Sequence, residues 1–226
     1  MHLESLVALL DGRRLFFSRS DLLGDPFEGS VSAATIETRN AIQRELGSYG
    51  QGTWDDVFGR MSQFCQHNRA WTFVNCWHMN EHESAAMWSL YGRSVAIRST
   101  YRKLRRQFLS TIVFIGVVNY IDYTRDAIPD GNAFWPYVFK RKSFEHEREL
   151  RAVMADMGCG LRSWRTGIPQ TAVGRELAVE PNDLIEAIVV APEAPSWKRD
   201  VIESVVRKCG FVGAVRQSSL NAVALY

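Results

Sequence analysis

Hydrophobic residues near the N-terminus recur at helical spacing. Leu3, Leu6, Val7, Leu9 and Leu10 fall on one face, and Asp11-Gly12 predicts where that helix ends. Leu15-Phe16-Phe17-Ser18 reads as a short strand, followed by the turn-forming Leu23-Gly24-Asp25-Pro26-Phe27-Glu28-Gly29. Two weakly amphipathic helices come next, over Ala33 to Leu46 and Trp54 to His67. From Trp71 to Trp77, Thr72, Val74 and Cys76 alternate against Phe73 and Trp77, which predicts a strand. His82 to Tyr91 reads as a short helix stopped by Gly92. Val95 to Arg98 is a strand leading through Ser99-Thr100 into a helix over Tyr101 to Phe108.

The second half is richer in strands. Val113 to Tyr123 is apolar and β-branched and reads as one strand, with a turn at Pro129-Asp130-Gly131-Asn132. The pattern predicts a helix between Pro136 and Phe144, a strand over Glu149 to Ala155 and a loop from Gly158 to Gly174. Glu176 to Val179 and Ile185 to Val190 are strands, and Trp197 to Lys208 is a helix. Val212 to Val215 and Ala222 to Leu225 close the sheet. Helices and strands mix without βαβ rhythm. The expected fold is therefore a single α+β domain with a central mixed, largely antiparallel sheet flanked by helices. No G-x-G-x-x-G or Walker loop occurs, which argues against a Rossmann or P-loop nucleotide site.

Composition narrows the class. The chain has 226 residues, 23% of them charged, and a net charge of only +2, so no global basic field points to nucleic acid or an anionic membrane. Cys65, Cys76, Cys159 and Cys209 lie far apart without ligand spacing, which fits free thiols in a reducing compartment. Met1 to Leu10 lacks the pattern of a signal peptide, and no apolar run reaches spanning length. A soluble cytoplasmic protein is expected.

Candidate chemistry concentrates in Lys140 to Arg151. Glu147, Glu149 and Arg151 alternate, which on a strand would put all three on one face. Two carboxylates on one face repel, and proteins place such pairs where a substrate, a metal or an arginine uses them. The plainer reading is a set of exposed ion pairs. Asp25-Pro26-Phe27-Glu28 reads as a capped turn or a substrate-positioning loop. Trp88 and Tyr91 share a helix face, as core residues or as a stacking platform for a planar ring. Ser99 or Thr100 would cap the following helix or hydrogen-bond a ligand at the strand end. His78 and His82 have metal-ligand spacing but no acidic companion, so no metal is assigned to them.

These segments together resemble a known family. Phe17-Ser18 with Gly24-Asp25-Pro26-Phe27-Glu28 is similar to an N-D-P-F-E turn, with Gly24 for Asn. Cys76-Trp77 and Met87-Trp88-Ser89-Leu90-Tyr91 resemble a C-F-S … M-W-x-x-Y segment. Lys142 with Phe144 to Arg151 resembles K … W-x-x-E-x-E-x-R, with Phe144 for Trp. The family is the bacterial domain of unknown function 2971, and the likeness runs from about Leu15 to the C-terminus. Its name implies no activity.

A weaker fold-level similarity is to ADP-ribosyltransferases, which carry in chain order a first-strand Arg or His, a second-strand Ser-Thr and a later Glu-x-Glu. Here Arg14 or Arg19 flank the first strand, Arg98-Ser99-Thr100 follow a middle one, and Glu147-x-Glu149 comes late. The similarity implies NAD as substrate and a macromolecular acceptor, protein or nucleic acid, in the manner of a bacterial toxin or phage-defence effector. Glu149 would stabilise the oxocarbenium ion and Glu147 would orient or deprotonate the acceptor. Arg19 or Arg98 would hold the pyrophosphate. Ser18, Ser99 and Thr100 would fix ribose or amide, and Tyr91 or Trp88 would stack on nicotinamide. Two alternatives stay open. One is a nuclease holding magnesium on Glu147, Glu149 and Asp25 or Glu28, with Lys142 at the phosphate. The other is a non-catalytic interaction module whose glutamates pair internally.

Overall fold

The computed structural model describes residues 1–46, 48–49, 52–91, 94–222 and 224, and for 48–49 and 52–55 the backbone alone. The first elements are α1 (Leu3–Gly12), β1 (Arg14–Arg19), α2 (Ala33–Leu46), the short strands β2 (Ser48–Tyr49) and β3 (Gly52–Thr53), and α3 (Trp54–Asn68). Next come β4 (Thr72–His78), α4 (Ala85–Tyr91), β5 (Val95–Arg98), α5 (Tyr101–Arg106), β6 (Phe114–Val117) and β7 (Asn119–Ile121). The chain continues through β8 (Phe139–Arg141), β9 (Glu149–Ala155), α6 (Met157–Thr166) and β10 (Gly174–Ala178). It closes with α7 (Pro181–Leu184), β11 (Ala187–Val190), α8 (Ser196–Lys208) and β12 (Ala214–Gln217).

The class is α+β, as the irregular alternation of elements predicts. The principal sheet has five strands in the order β10-β1-β4-β9-β6. Its pairs β1–β4, β4–β9 and β9–β6 are antiparallel. β9 is an interior strand, paired with β4 on one side and β6 on the other, and its first five residues, Glu149 to Val153, are all buried. Among the described residues no helix is long and apolar enough to cross a membrane.

Chain contacts divide the molecule into two compact units. The boundary falls inside β1, between Phe16 and Phe17, and inside β10, between Arg175 and Glu176. The first unit comprises Met1–Phe16, Asn80–Ile112 and Glu176–Tyr226. Its small sheet β12-β11-β5 pairs β11 with β12 in parallel and with β5 antiparallel. Leu6, Leu9 and Leu10 of α1, Ile202 and Val206 of α8, and Val95, Ile188 and Val190 of the sheet form its buried apolar side. The helical spacing of those residues is what lets α1 and α8 turn one face inward. The second unit, Phe17–Met79 with Val113–Arg175, carries most of the principal sheet. Tyr137 packs there on Val74 and Val153, while Tyr123, Ile128 and Phe139 form a neighbouring cluster.

Several elements differ from the sequence reading. Arg14 and Arg19 lie within β1 rather than flanking it. The Val113 to Tyr123 run splits at Val118, because β6 pairs antiparallel with β9 while β7 pairs in parallel with β8. The expected helix after Pro136 is absent. Short 3-10 turns at Trp135–Tyr137 and Lys142–Glu147 bracket β8, whose backbone is claimed by β7. The expected loop after Gly158 is largely α6. Asp156 caps α6 by accepting from the Cys159 amide, and Gly167 closes it with φ 71°. Gly160 belongs inside this helix because an added Cβ would lie 2.5 Å from Asn68 Oδ1. The glycines that suggested a loop serve close packing and a cap. Near the C-terminus, Ala222 lies outside any strand, while residues 223 and 225, like the proposed helix stop at Gly92, fall outside the described residues.

Candidate functional site: a buried charge cluster at the start of β9

Within the second unit, two distant segments converge on the first residues of β9. The Lys142–Glu147 turn ends with Arg148 in the left-handed region (φ 43°), and β9 begins at the next residue. Glu147 therefore precedes the strand instead of alternating within it, yet its carboxylate still meets that of Glu149. Both accept from Lys140 Nζ, Glu149 Oε1 at 2.6 Å. Arg151 spans the other side. Its Nε donates to Glu149 Oε2 at 2.5 Å, and its two terminal nitrogens donate to both oxygens of Glu28, at 2.5 and 2.8 Å. A further Arg151 bond, of 2.9 Å, reaches the Tyr137 carbonyl. Glu28 also lies 3.5 Å from Lys140.

The turn that supplies Glu28 is built locally. Asp25 Oδ1 accepts from the Phe27 amide, and the Glu28 amide donates to the Asp25 carbonyl. Asp25 then holds Arg141 (2.9 Å), whose guanidinium lies 4.6 Å from the centre of the Phe27 ring. Gly29 closes the turn with φ 71°, against the Tyr137 ring. Strand pairing adds the last neighbours. His78 lies opposite Glu149 and Cys76 opposite Arg151. His78 Nδ1 donates to the Glu147 carbonyl, and the Glu149 amide donates to the Tyr120 hydroxyl at 2.8 Å.

All five charged side chains are withdrawn from water: Arg151 is 1% exposed, Glu28 2%, Glu147 and Glu149 6% each and Lys140 7%. Burial alone would push the Glu149 carboxyl up. Hydrogen bonds from Glu147, Arg151 and Lys140 outweigh it and hold Glu149 well below the ordinary carboxylate range. Lys140 is likewise held charged against burial by Glu147 and Glu149, and Arg151 by Glu28 and Glu149. Burial also pushes up the Tyr120 hydroxyl, and takes Tyr137 to about 12. Three carboxyls face two cations, so full ionisation leaves one negative charge in excess. One proton shared by Glu147 and Glu149 would neutralise it.

The other candidate residues lie elsewhere. Ser18 pairs with Val74, four residues along β4 from His78, or about 13 Å at the usual strand rise. Arg19, one residue further, donates to Asp21 (2.7 Å) and to the Gln170 and Ala172 carbonyls (2.9 and 3.1 Å). Its charge is thus taken up within the fold. Arg98, Ser99, Thr100, Trp88 and Tyr91 belong to the first unit. Ser99 donates to the Leu184 carbonyl at 2.6 Å, and Thr100 caps α5 through the Lys103 amide. Arg98 approaches Glu186 at 3.9 Å. Trp88 donates to Glu83, which also accepts from Ser218 and Ser219. Tyr91 is exposed. Lys142 is largely exposed, 3.9 Å from Asp126. Among the described residues no group of three or more His, Cys, Asp or Glu is placed to hold a metal ion.

Sequence reasoning picked out the glutamates but gave Lys140 no role and missed the pairing of Glu28 with Arg151. Those partners are 123 residues apart, beyond any local periodicity. The chain matches no protein-family model, no curated protein and no solved structure with which it was compared.

Proposed function

We propose that the Glu149 cluster is the reacting centre of an ADP-ribosyltransferase, which cleaves NAD and passes ADP-ribose to a protein or nucleic acid. The ionised and rigidly held Glu149 carboxylate carries this reading. Breaking the nicotinamide–ribose bond builds an oxocarbenium ion, and a fixed, ionised carboxylate stabilises such a cation electrostatically. Lys140 and Arg151 keep Glu149 charged despite its burial and fix its orientation. Glu147, once any shared proton has left, orients or deprotonates the acceptor. The magnesium nuclease has less behind it, because Lys140 and Arg151 already occupy the carboxylates it would need.

A second reading rests on a specific observation: both oxygens of Glu149 are engaged and the residue is 6% exposed. In that case the cluster clamps the turn at Asp25 to the sheet, and the chain is a non-catalytic interaction module. Glu149→Gln deletes the charge that Lys140 and Arg151 hold, so some loss of stability is expected on either reading and turnover is what separates them. Incubation with labelled NAD, protein and nucleic acid should show turnover in the parent and a kcat at least about a hundredfold lower in the variant. No turnover by the parent with any acceptor would establish the clamp instead.

A further inference from the structure

The first unit carries a concentration of positive charge that the NAD reaction does not use. Between Arg98 and Arg106 the chain places Arg98, Arg102, Lys103, Arg105 and Arg106, while the whole protein has a net charge of only +2. Thr100 caps α5, and Leu104 is the one residue of that helix turned fully into the core. Everything else on α5 faces outward or sideways. Arg102, Arg105 and Arg106 are exposed, at the three- and four-residue spacings that put helix side chains about 5–6 Å apart. Tyr101, at the start of the helix, is 52% exposed.

Nearby acids answer only part of this charge. Glu186 approaches Arg98 at 3.9 Å. Glu180 and Asp183 line a hollow of about 560 Å³ with Lys103, Arg106 and Gln107, but Glu180 is already paired with Arg13. Arg102 and Arg105 stand outside that hollow. Four of the five cations are arginine, whose planar fork matches phosphate oxygens better than the lysine ammonium does. An exposed aromatic beside a row of arginines is also the combination that holds single strands, charge on the backbone and ring on a base. An anionic membrane is the competing partner, because Leu109 and Ile112 just beyond α5 are 75% and 77% exposed. The arginine forks and the Tyr101 ring on α5 itself favour nucleic acid, and the vesicle arm of the test decides.

We infer that the exposed face of α5, with Tyr101, Arg102, Arg105 and Arg106, binds the phosphate backbone of single-stranded nucleic acid. This surface acts whether or not the chain cleaves NAD.

The test is fluorescence anisotropy of the full chain with a labelled 20-nucleotide single-stranded RNA, and the same sequence as DNA, across a salt series. Binding should weaken steeply with salt. The triple variant Arg102→Gln/Arg105→Gln/Arg106→Gln should bind at least about tenfold more weakly, and its log–log salt slope should fall by about 2, since each lost contact on a single strand removes about 0.7. Tyr101→Ala should weaken binding about fivefold or more at constant salt slope, because stacking is not ionic. Thermal melting checks that each variant folds. Should the triple variant fail to fold, Arg102→Gln and Arg105→Gln made singly must each lower the slope. No binding by the parent at low salt, an unchanged slope in folded variants, or binding to phosphatidylserine vesicles but not to RNA or DNA, each overturns the proposal.

Discussion

Arg151 is the residue whose removal should expose the energetics of the buried cluster. Arg151→Met keeps much of the side-chain volume and deletes the charge. Glu28 would lose both of its short bonds, at 2.5 and 2.8 Å, and Glu149 would lose two, of 2.5 and 3.2 Å. Lys140, 3.5 Å from Glu28, cannot replace them while it also holds Glu147 and Glu149. Taking one partner from a buried ion pair costs about 3–5 kcal/mol, because the other charge stays buried and uncompensated. At roughly 2–4 °C per kcal/mol for a chain of this size, the melting temperature should fall by about 6–20 °C. The effect should depend on pH. In the variant, the stranded carboxyls have pKa values raised above those of the unfolded chain. The stability they cost at neutral pH is therefore recovered as pH falls and they are protonated. In the parent, Glu149 is depressed, so its contribution is present above the unfolded carboxylate value and is lost in acid. The gap between the two proteins should thus be widest near pH 7 and narrow toward pH 4. Urea unfolding at a series of pH values measures it. A loss below about 1 kcal/mol, the scale of an exposed pair, or a gap that does not change with pH, would refute the reasoning. The double variant Glu28→Leu/Arg151→Met removes both charges together and should recover much of the loss.

Further outcomes follow from the same geometry. Acid unfolding of the parent should show stability falling as pH drops below about 4.3, the ordinary glutamate value, with a weaker decline in Glu149→Gln; equal slopes would remove Glu149 from the acid response. Thiol titration under denaturing, non-reducing conditions should find all four cysteines free, and a count of two or none would contradict it. Gly29→Ala should destabilise by more than about 1 kcal/mol, since φ is 71° and the new Cβ would lie 2.6 Å from Tyr137 Cε1; unchanged melting would show that Tyr137 yields easily.

What the sequence settled was whatever depends on neighbours within a few residues. The helical spacing of Leu3 to Leu10, the full extent of α2 and the bounds of β5 and β9 follow from periodicity, and the absence of βαβ rhythm gives the α+β class. That Glu147 and Glu149 meet was also legible, though the strand alternation that suggested it is not what brings them together, since Glu147 lies on the turn before β9. Tertiary structure decided the rest. Val113 to Tyr123 breaks in two because its halves answer to different partner strands, which no local pattern records. The Gly158 segment becomes a helix because Gly160 fits against Asn68 and Trp71. Most of all, the carboxylates are buried and not open, because Lys140 and Arg151 close over them and Glu28 arrives from the far end of the chain. A charge reads the same in sequence whether it meets water or a buried partner. Only the fold supplies the partner, and with it the sign and size of the charge's effect.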